Sequence, residues 1–133
     1  MATTPRTFIS FDFDHNADHK LLFAGQAKNS RVPFSIADWS SKAALPQATW
    51  EEQISNKISR CELMIVLVGK KTAIASGVKK ELQFAAAHRI PVFGVYVDGA
   101  DYTTSLPAGL PRTHVIEWNW DRIAQAIKAL IGG

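Results

Sequence analysis

The sequence predicts a doubly wound α/β sheet, and three observations carry that prediction. Leu63-Met64-Ile65-Val66-Leu67-Val68 and Val92-Phe93-Gly94-Val95-Tyr96-Val97 are apolar on both faces, as buried parallel strands are. Between them Val78, Leu82, Ala85 and Ala86 recur at helical spacing, with Ser76 as the expected N-cap and Arg89 in the last turn. The rest of the chain alternates strand and helix patterns in the same way. A strand-helix-strand unit crosses over right-handedly, so the two strands lie side by side with the helix across them.

In chain order, Thr7-Phe8-Ile9-Ser10-Phe11 reads as strand 1, and Asp12-Phe13-Asp14-His15-Asn16 follows its carboxyl end. A first helix is expected from Asn16 or Asp18 through Leu21, Leu22, Ala24 and Gln26, stopping near Asn29. Val32-Pro33-Phe34-Ser35-Ile36 alternates polar and apolar residues, and Pro33 lacks a ladder donor, which suits an edge strand. The stretch from Ala37 to Pro46 is a connection longer than geometry requires. Thr49 followed by Glu52 reads as a capping box that starts a second helix, with Trp50, Ile54, Ile58 and Cys61 as its buried stripe. After the fourth strand comes a turn-rich loop from Asp98 to Arg112, then a short strand His114-Val115-Ile116-Glu117. A last helix capped by Asn119 or Asp121 carries the stripe Ile123, Ile127, Leu130 and Ile131 and ends at Gly132. Strands 1, 3 and 4 belong in the middle and strands 2 and 5 at the edges. The expected order is 2-1-3-4-5, the flavodoxin-like arrangement, with helices on both faces.

The chain of 133 residues is read as one domain, residues 1–133 with a core of about 6–131, and is long enough for a single buried core. Fifteen Lys and Arg against twelve Asp and Glu give +3, but the basic residues are scattered rather than striped, so nucleic acid is not an expected partner. No apolar run approaches the ~20 residues of a membrane span, and the first six residues hold no apolar signal region. No membrane partner and a cytoplasmic location are the expectations. The lone Cys61 cannot form an internal disulfide and reads as a small core residue rather than a nucleophile.

The strand order puts the topological switch between strands 1 and 3, where open α/β sheets bind ligands at their carboxyl edge. Phe11, Asp12 and Asp14, then Asp38 and Trp39, Gly69 and Lys70, and the first turns of helix 3 with Ser76 and Glu81 are delivered there. A receiver-type phosphate acceptor would need an aspartate after strand 3, where this chain has Gly69-Lys70. A phosphate-binding loop would need glycine at Met64 and a hydroxyl residue at Lys71. The four histidines and one cysteine form no metal-ligand spacing, so no metal is expected, and His15 and His19 read as a solvated pair. Glu81 stands apart. Gly77, Val78, Phe84 and Ala85 occupy the positions where a helical glutamate would find a cation, and Lys79 and Lys80 oppose the helix dipole. It reads either as a functional carboxylate or as a partner for a neighbouring loop or a distant cation.

Arg6-Thr7-Phe8-Ile9-Ser10-Phe11-Asp12-Phe13-Asp14, the Leu63-to-Gly69 strand, Val78-Lys79-Lys80-Glu81-Leu82 and Pro91-Val92-Phe93-Gly94-Val95 together resemble a TIR domain. The resemblance is nearest to the TIR-like branch that includes the TIR subunits of Thoeris antiphage systems. It implies an enzyme that cleaves the nicotinamide–ribose bond of NAD and releases ADP-ribose or a cyclic or conjugated derivative as a signal. By the same resemblance Glu81 is the catalytic carboxylate. Phe11 and Asp12 follow the first strand in the substrate region, and the substrate-enclosing BB loop spans roughly Asp38 to Pro46. Where the family often has Ser-x-Trp before the glutamate, this chain has Ala75 and Gly77, leaving Trp39 as the candidate aromatic wall.

Cleaving an N-glycosidic bond develops positive charge on the ribose, which a nearby carboxylate stabilises. On this reading Glu81 is catalytic; Phe11, Asp12, Asp38, Trp39 and Ser76 bind substrate; NAD is the substrate and no cofactor is needed. Phe11 fits equally the end of the strand core, and Asp12 and Asp38 fit turns. Self-association through TIR–TIR contacts and a downstream effector reading a diffusible nucleotide follow as expected partners. Two other readings stand beside it: a non-catalytic interaction module working through the 38–46 loop and helix 3, and a nucleoside N-glycosidase or deoxyribosyltransferase on a similar sheet.

Overall fold

The computed structural model describes residues 5–29, 34–40 and 46–131. Five strands, β1 (Arg6–Ser10), β2 (Ser35–Trp39), β3 (Leu63–Val68), β4 (Val92–Tyr96) and β5 (Val115–Ile116), form one parallel sheet. Its order is β2-β1-β3-β4-β5, as the apolar pattern predicts. Four helices accompany it: α1 (Phe13–Asn29), α2 (Gln47–Ser59), α3 (Ser76–Ala87) and α4 (Trp120–Ile131).

Side chains alternate across a strand, and this alternation builds two separate cores. Ile9, Phe11, Leu63, Ile65, Leu67, Phe93 and Val95 point to one face, where Phe23 and Ala27 of α1 and Ile123 and Ile127 of α4 cover them. Phe8, Met64, Val66 and Val68 point to the other, under Ile54 and Ile58 of α2 and Val78, Leu82 and Ala85 of α3. Each fully buried Leu, Ile or Phe stabilises the fold by about 1.5–3 kcal/mol relative to exposure. Because β3 contributes to both cores along its whole length, all six of its residues are buried. Gly94 lies where Leu110, from the loop after β4, comes down on the sheet. A Cβ there would stand 3.1 Å from both Leu110 Cδ2 and Val68 Cγ2.

Several boundaries differ from the sequence expectation. The second strand is Ser35–Trp39, three residues later than the alternating pattern suggests, so Ala37, Asp38 and Trp39 are strand rather than loop. An edge strand takes its register from a single neighbour, and β1 sets it here: Arg6 pairs Ser35 and Ile9 pairs Trp39. Val32 and Pro33, and residues 41–45 of the expected loop, lie outside the described residues. Helix α2 starts at Gln47 behind Pro46, without a side-chain cap, so Thr49 falls inside its first turn and the capping box does not form. Ala75, not Ser76, is the N-cap of α3. The fifth strand shortens to Val115–Ile116 because a 3-10 turn takes in His114.

Helix α1 begins at Phe13 but breaks its helical geometry at Asn16, with φ −125° and ψ 18°. Past that kink the helix buries Phe23 and Ala27 and leaves Leu21 and Leu22 exposed. The expected cap of α4 forms, with Asn119 Oδ1 accepting the Arg122 N–H at 3.1 Å. Ile123 and Ile127 are buried as expected, whereas Ile131 is exposed.

Candidate functional site

The carboxyl edge of the sheet carries a buried polar cluster centred on Glu81, which is only 1% exposed. Phe8 and Ser10 share a face of β1, and that face looks toward α3. Glu81, in the second turn of α3 beside Val78, Leu82 and Ala85, therefore meets the last residue of β1. Ser10 Oγ donates to Glu81 Oε1 at 2.8 Å. Ser40, one residue beyond β2, is fixed by donating its N–H to the carbonyl of Ile9 at 2.9 Å, which extends the ladder between β1 and β2. Its hydroxyl accepts the Phe11 N–H at 3.0 Å and donates to the same Glu81 oxygen at 2.5 Å.

Oε1 is thus held by two hydroxyls, while the buried Oε2 has no hydrogen-bond partner among the described residues. Burial pushes the Glu81 carboxyl up to about 7, against the downward pull of Ser40, Ser10 and the charge of Lys57. A carboxyl in that state exchanges a proton near neutrality and, when ionised, exerts an electrostatic effect little weakened by water. It is not an α3 surface glutamate paired along its own helix. The neighbouring Lys80 reaches instead to Glu51 of α2, at 3.2 Å.

A family model for the TIR-like domain of the Thoeris protein ThsB matches residues 8–102. The chain belongs to this family. The matched stretch runs from β1 past β4 and so contains Ser10, Ser40 and Glu81. The crystal structure of a prokaryotic SEFIR domain has the same fold, with 17% identity and a TM-score of 0.53 over 95% of this chain and 89% of that one. Among curated proteins nothing matches. The family fits a place in antiphage defence.

Other residues of this TIR-like domain singled out from sequence fall around the carboxyl in different ways. Phe11 is a core residue: its ring packs with the α1/α4 core, so the site receives its backbone amide and not an aromatic face. Asp12 is buried and Oδ2 lies 2.7 Å from His15 Nδ1. His15 is nonetheless exposed at the surface, as the sequence reading expects. His19 turns away, 3.8 Å from Asp98 and with Nδ1 3.4 Å from Asn16 Nδ2. Asp38 accepts the N–H of Trp39 and pairs with Lys57 of α2 at 3.7 Å. Trp39, next to Ser40, is 43% exposed, and Lys20 Nζ sits 3.7 Å from its ring centroid. Ser76 is exposed at the first residue of α3. At Gly77 an added Cβ would meet only the Trp50 ring, at 4.0 Å.

Ser10, Ser40 and Lys57 were not legible as site residues. A hydroxyl closing a central apolar strand is the one signal that could have marked Ser10. For Ser40 and Lys57 no local pattern exists. Among the described residues no cluster of three or more His, Cys, Asp or Glu could hold a metal ion, and no helix is long and apolar enough to cross a membrane.

Proposed function

We propose that this TIR-like domain cleaves the nicotinamide–ribose bond of NAD and releases ADP-ribose, or a cyclic or conjugated derivative, as a signal in antiphage defence. One observation carries the reading: a buried glutamate at the carboxyl edge of the sheet whose carboxyl has one oxygen held and one without a partner among the described residues. The bond between the ribose C1′ and the nicotinamide nitrogen breaks with its electron pair leaving on nicotinamide, which departs neutral. Positive charge develops on the ribosyl ring as the bond breaks, and ionised Glu81 stabilises it. Water then adds at C1′ and gives up a proton to form ADP-ribose, or a nucleophilic atom of the ADP-ribose itself or of an acceptor adds there, losing its proton, to form the cyclic or conjugated product.

Trp39, whose ring carries Lys20 of α1, supplies an aromatic wall at this edge, on the other face of the sheet from Glu81. Asp12 and Asp38 are acceptors for ribose hydroxyls, and the Ser76 hydroxyl is a donor for phosphate. NAD is consumed, so the reading calls for no cofactor. Self-association of TIR domains completes the site, and the diffusible product passes the signal to a cytoplasmic effector. Incubating the purified protein with NAD and separating products by chromatography tests this: the native chain releases nicotinamide and Glu81→Gln does not. Equal release by the variant removes Glu81 from the mechanism.

The near-complete burial of Glu81 and the glycine at position 77 favour a second reading, an interaction module without catalysis. On that reading no nicotinamide appears under any condition, while sedimentation detects self-association or partner binding that Trp39→Ala weakens.

A further inference from the structure

The two oxygens of the Glu81 carboxyl are not equivalent. Ser40 Oγ accepts the Phe11 amide N–H at 3.0 Å, so its own proton is committed to Glu81 Oε1. Ser10 Oγ directs a second proton to the same atom at 2.8 Å. An oxygen that already accepts two hydroxyl protons has no room for a third, and Oε2 accepts none from the described residues. We propose that Ser10 and Ser40 are positioning residues that divide this carboxyl into a held oxygen, Oε1, and a working oxygen, Oε2. The proton that Glu81 carries, and its contact with an electron-poor ribose, both fall on Oε2. This rests on the NAD-cleaving reading above for the identity of the substrate, but the division of the carboxyl does not.

The arrangement ties the end of β1 and the residue after β2 to α3. Ser10 ends β1, Ser40 follows β2, and Phe11 begins the turn into α1, so the carboxyl of α3 is referenced to the sheet edge rather than to its own helix. The charges around it are Lys57 of α2, whose field reaches the carboxyl and which itself lies 3.7 Å from Asp38 of β2. On α3, Lys80 pairs with Glu51 of α2, and Lys79 is exposed. Both serines favour the ionised form, since each donates to a carboxylate. Removing either therefore raises the pH at which Glu81 ionises.

The test is a carbon-13 NMR titration of protein labelled at the glutamate side-chain carboxyl, with the Glu81 signal identified by its loss in Glu81→Gln. Ser10→Ala and Ser40→Ala are each expected to move the Glu81 midpoint upward by about one pH unit, the size of a hydrogen bond to a charged group. Ser40→Thr keeps the hydroxyl and is expected to retain the native midpoint. Unchanged midpoints in both folded alanine variants overturn the proposal, and so does a shift in Ser40→Thr equal to that in Ser40→Ala. If an alanine variant does not fold, the native protein decides. Two serine hydroxyl protons protected from exchange with water are expected, and absence of both at low temperature overturns the proposal.

The activity arm separates this proposal from the one it rests on. If nicotinamide is released, the pH profile of release moves upward with the NMR midpoint in Ser40→Ala. Midpoints that move in a protein that never releases nicotinamide uphold the positioning and refute the NAD reading. Release with immovable midpoints does the reverse.

Discussion

A Cβ on Gly69 would stand 2.4 Å from Asn16 Oδ1, so the end of β3 fits against the kink of α1 only because residue 69 has no side chain. The contact lies at the switch between β1 and β3, where the chain leaves the sheet in opposite directions. Asn16 is fully buried, its N–H held by the Asp12 carbonyl at 2.7 Å. Gly69 in turn donates its N–H to Thr72 Oγ1 at 2.8 Å, and that hydroxyl donates to the Leu67 carbonyl at 3.3 Å, closing the turn after β3.

Gly69→Ala is therefore expected to destabilise the fold by about 1–3 kcal/mol through overpacking. Asn16→Ala removes the atoms that the new methyl group would strike. Urea unfolding of the two single variants and the double variant should show a double variant markedly more stable than the sum of the singles, a coupling of about 0.5–3 kcal/mol. Additive losses would mean that the two residues do not meet.

Glu81 makes stability depend on pH in a stated direction. Its folded carboxyl ionises near 7 against an ordinary value of 4.5, so the folded state binds more protons than the unfolded one between those pH values. Below 4.5 both states are protonated and the residue imposes no penalty. As pH rises through the window the penalty for burying the charge accumulates, reaching roughly 3 kcal/mol above 7. Thermal unfolding of the native chain should fall relative to Glu81→Gln from pH 4.5 to 7, with the two curves converging at the acid end. Parallel curves across that range would show an unperturbed carboxyl.

Trp39 is half in solvent and stacked with Lys20, an exposed cation–π pair of about 0.5–1 kcal/mol. Trp39→Ala loses this pair and the packing of the buried half of the ring, and should lower stability by about 1–3 kcal/mol. If Trp39 lines the NAD site, the same variant raises KM for NAD several-fold and keeps kcat. A fall in kcat with unchanged KM would place its effect elsewhere.

Cys61 is buried at the end of the α2 stripe, its thiol pushed up to about 11 by desolvation. A disulfide reagent at pH 8 should leave it unmodified in the native protein and modify it fully in denaturant. Rapid reaction of the native thiol would contradict its place in the core.

The central strands and the amphipathic stripes were legible because burial on both faces or one face leaves a period in the sequence. Leu63 to Val68, Val78 with Leu82 and Ala85, and Ile123 with Ile127 all lie where their spacing puts them. Edge strand β2 was misplaced because its position depends on pairing with β1, which leaves no local mark. Phe11 looked equally like a stacking ring and a core residue from sequence, and its side of the sheet decided for the core.

By itself the sequence determined that a parallel sheet would form in the order 2-1-3-4-5 and that Glu81 would lack a cationic companion on its own helix. Periodicity and near-neighbour spacing are local properties of the chain, so both were readable. Only the tertiary structure decided that Ser10 and Ser40, 71 and 41 residues away, would seize one oxygen of that carboxyl and leave the other without a partner among the described residues. Hydrogen bonds between elements depend on which faces the sheet turns toward one another, and that choice is made by packing the whole core.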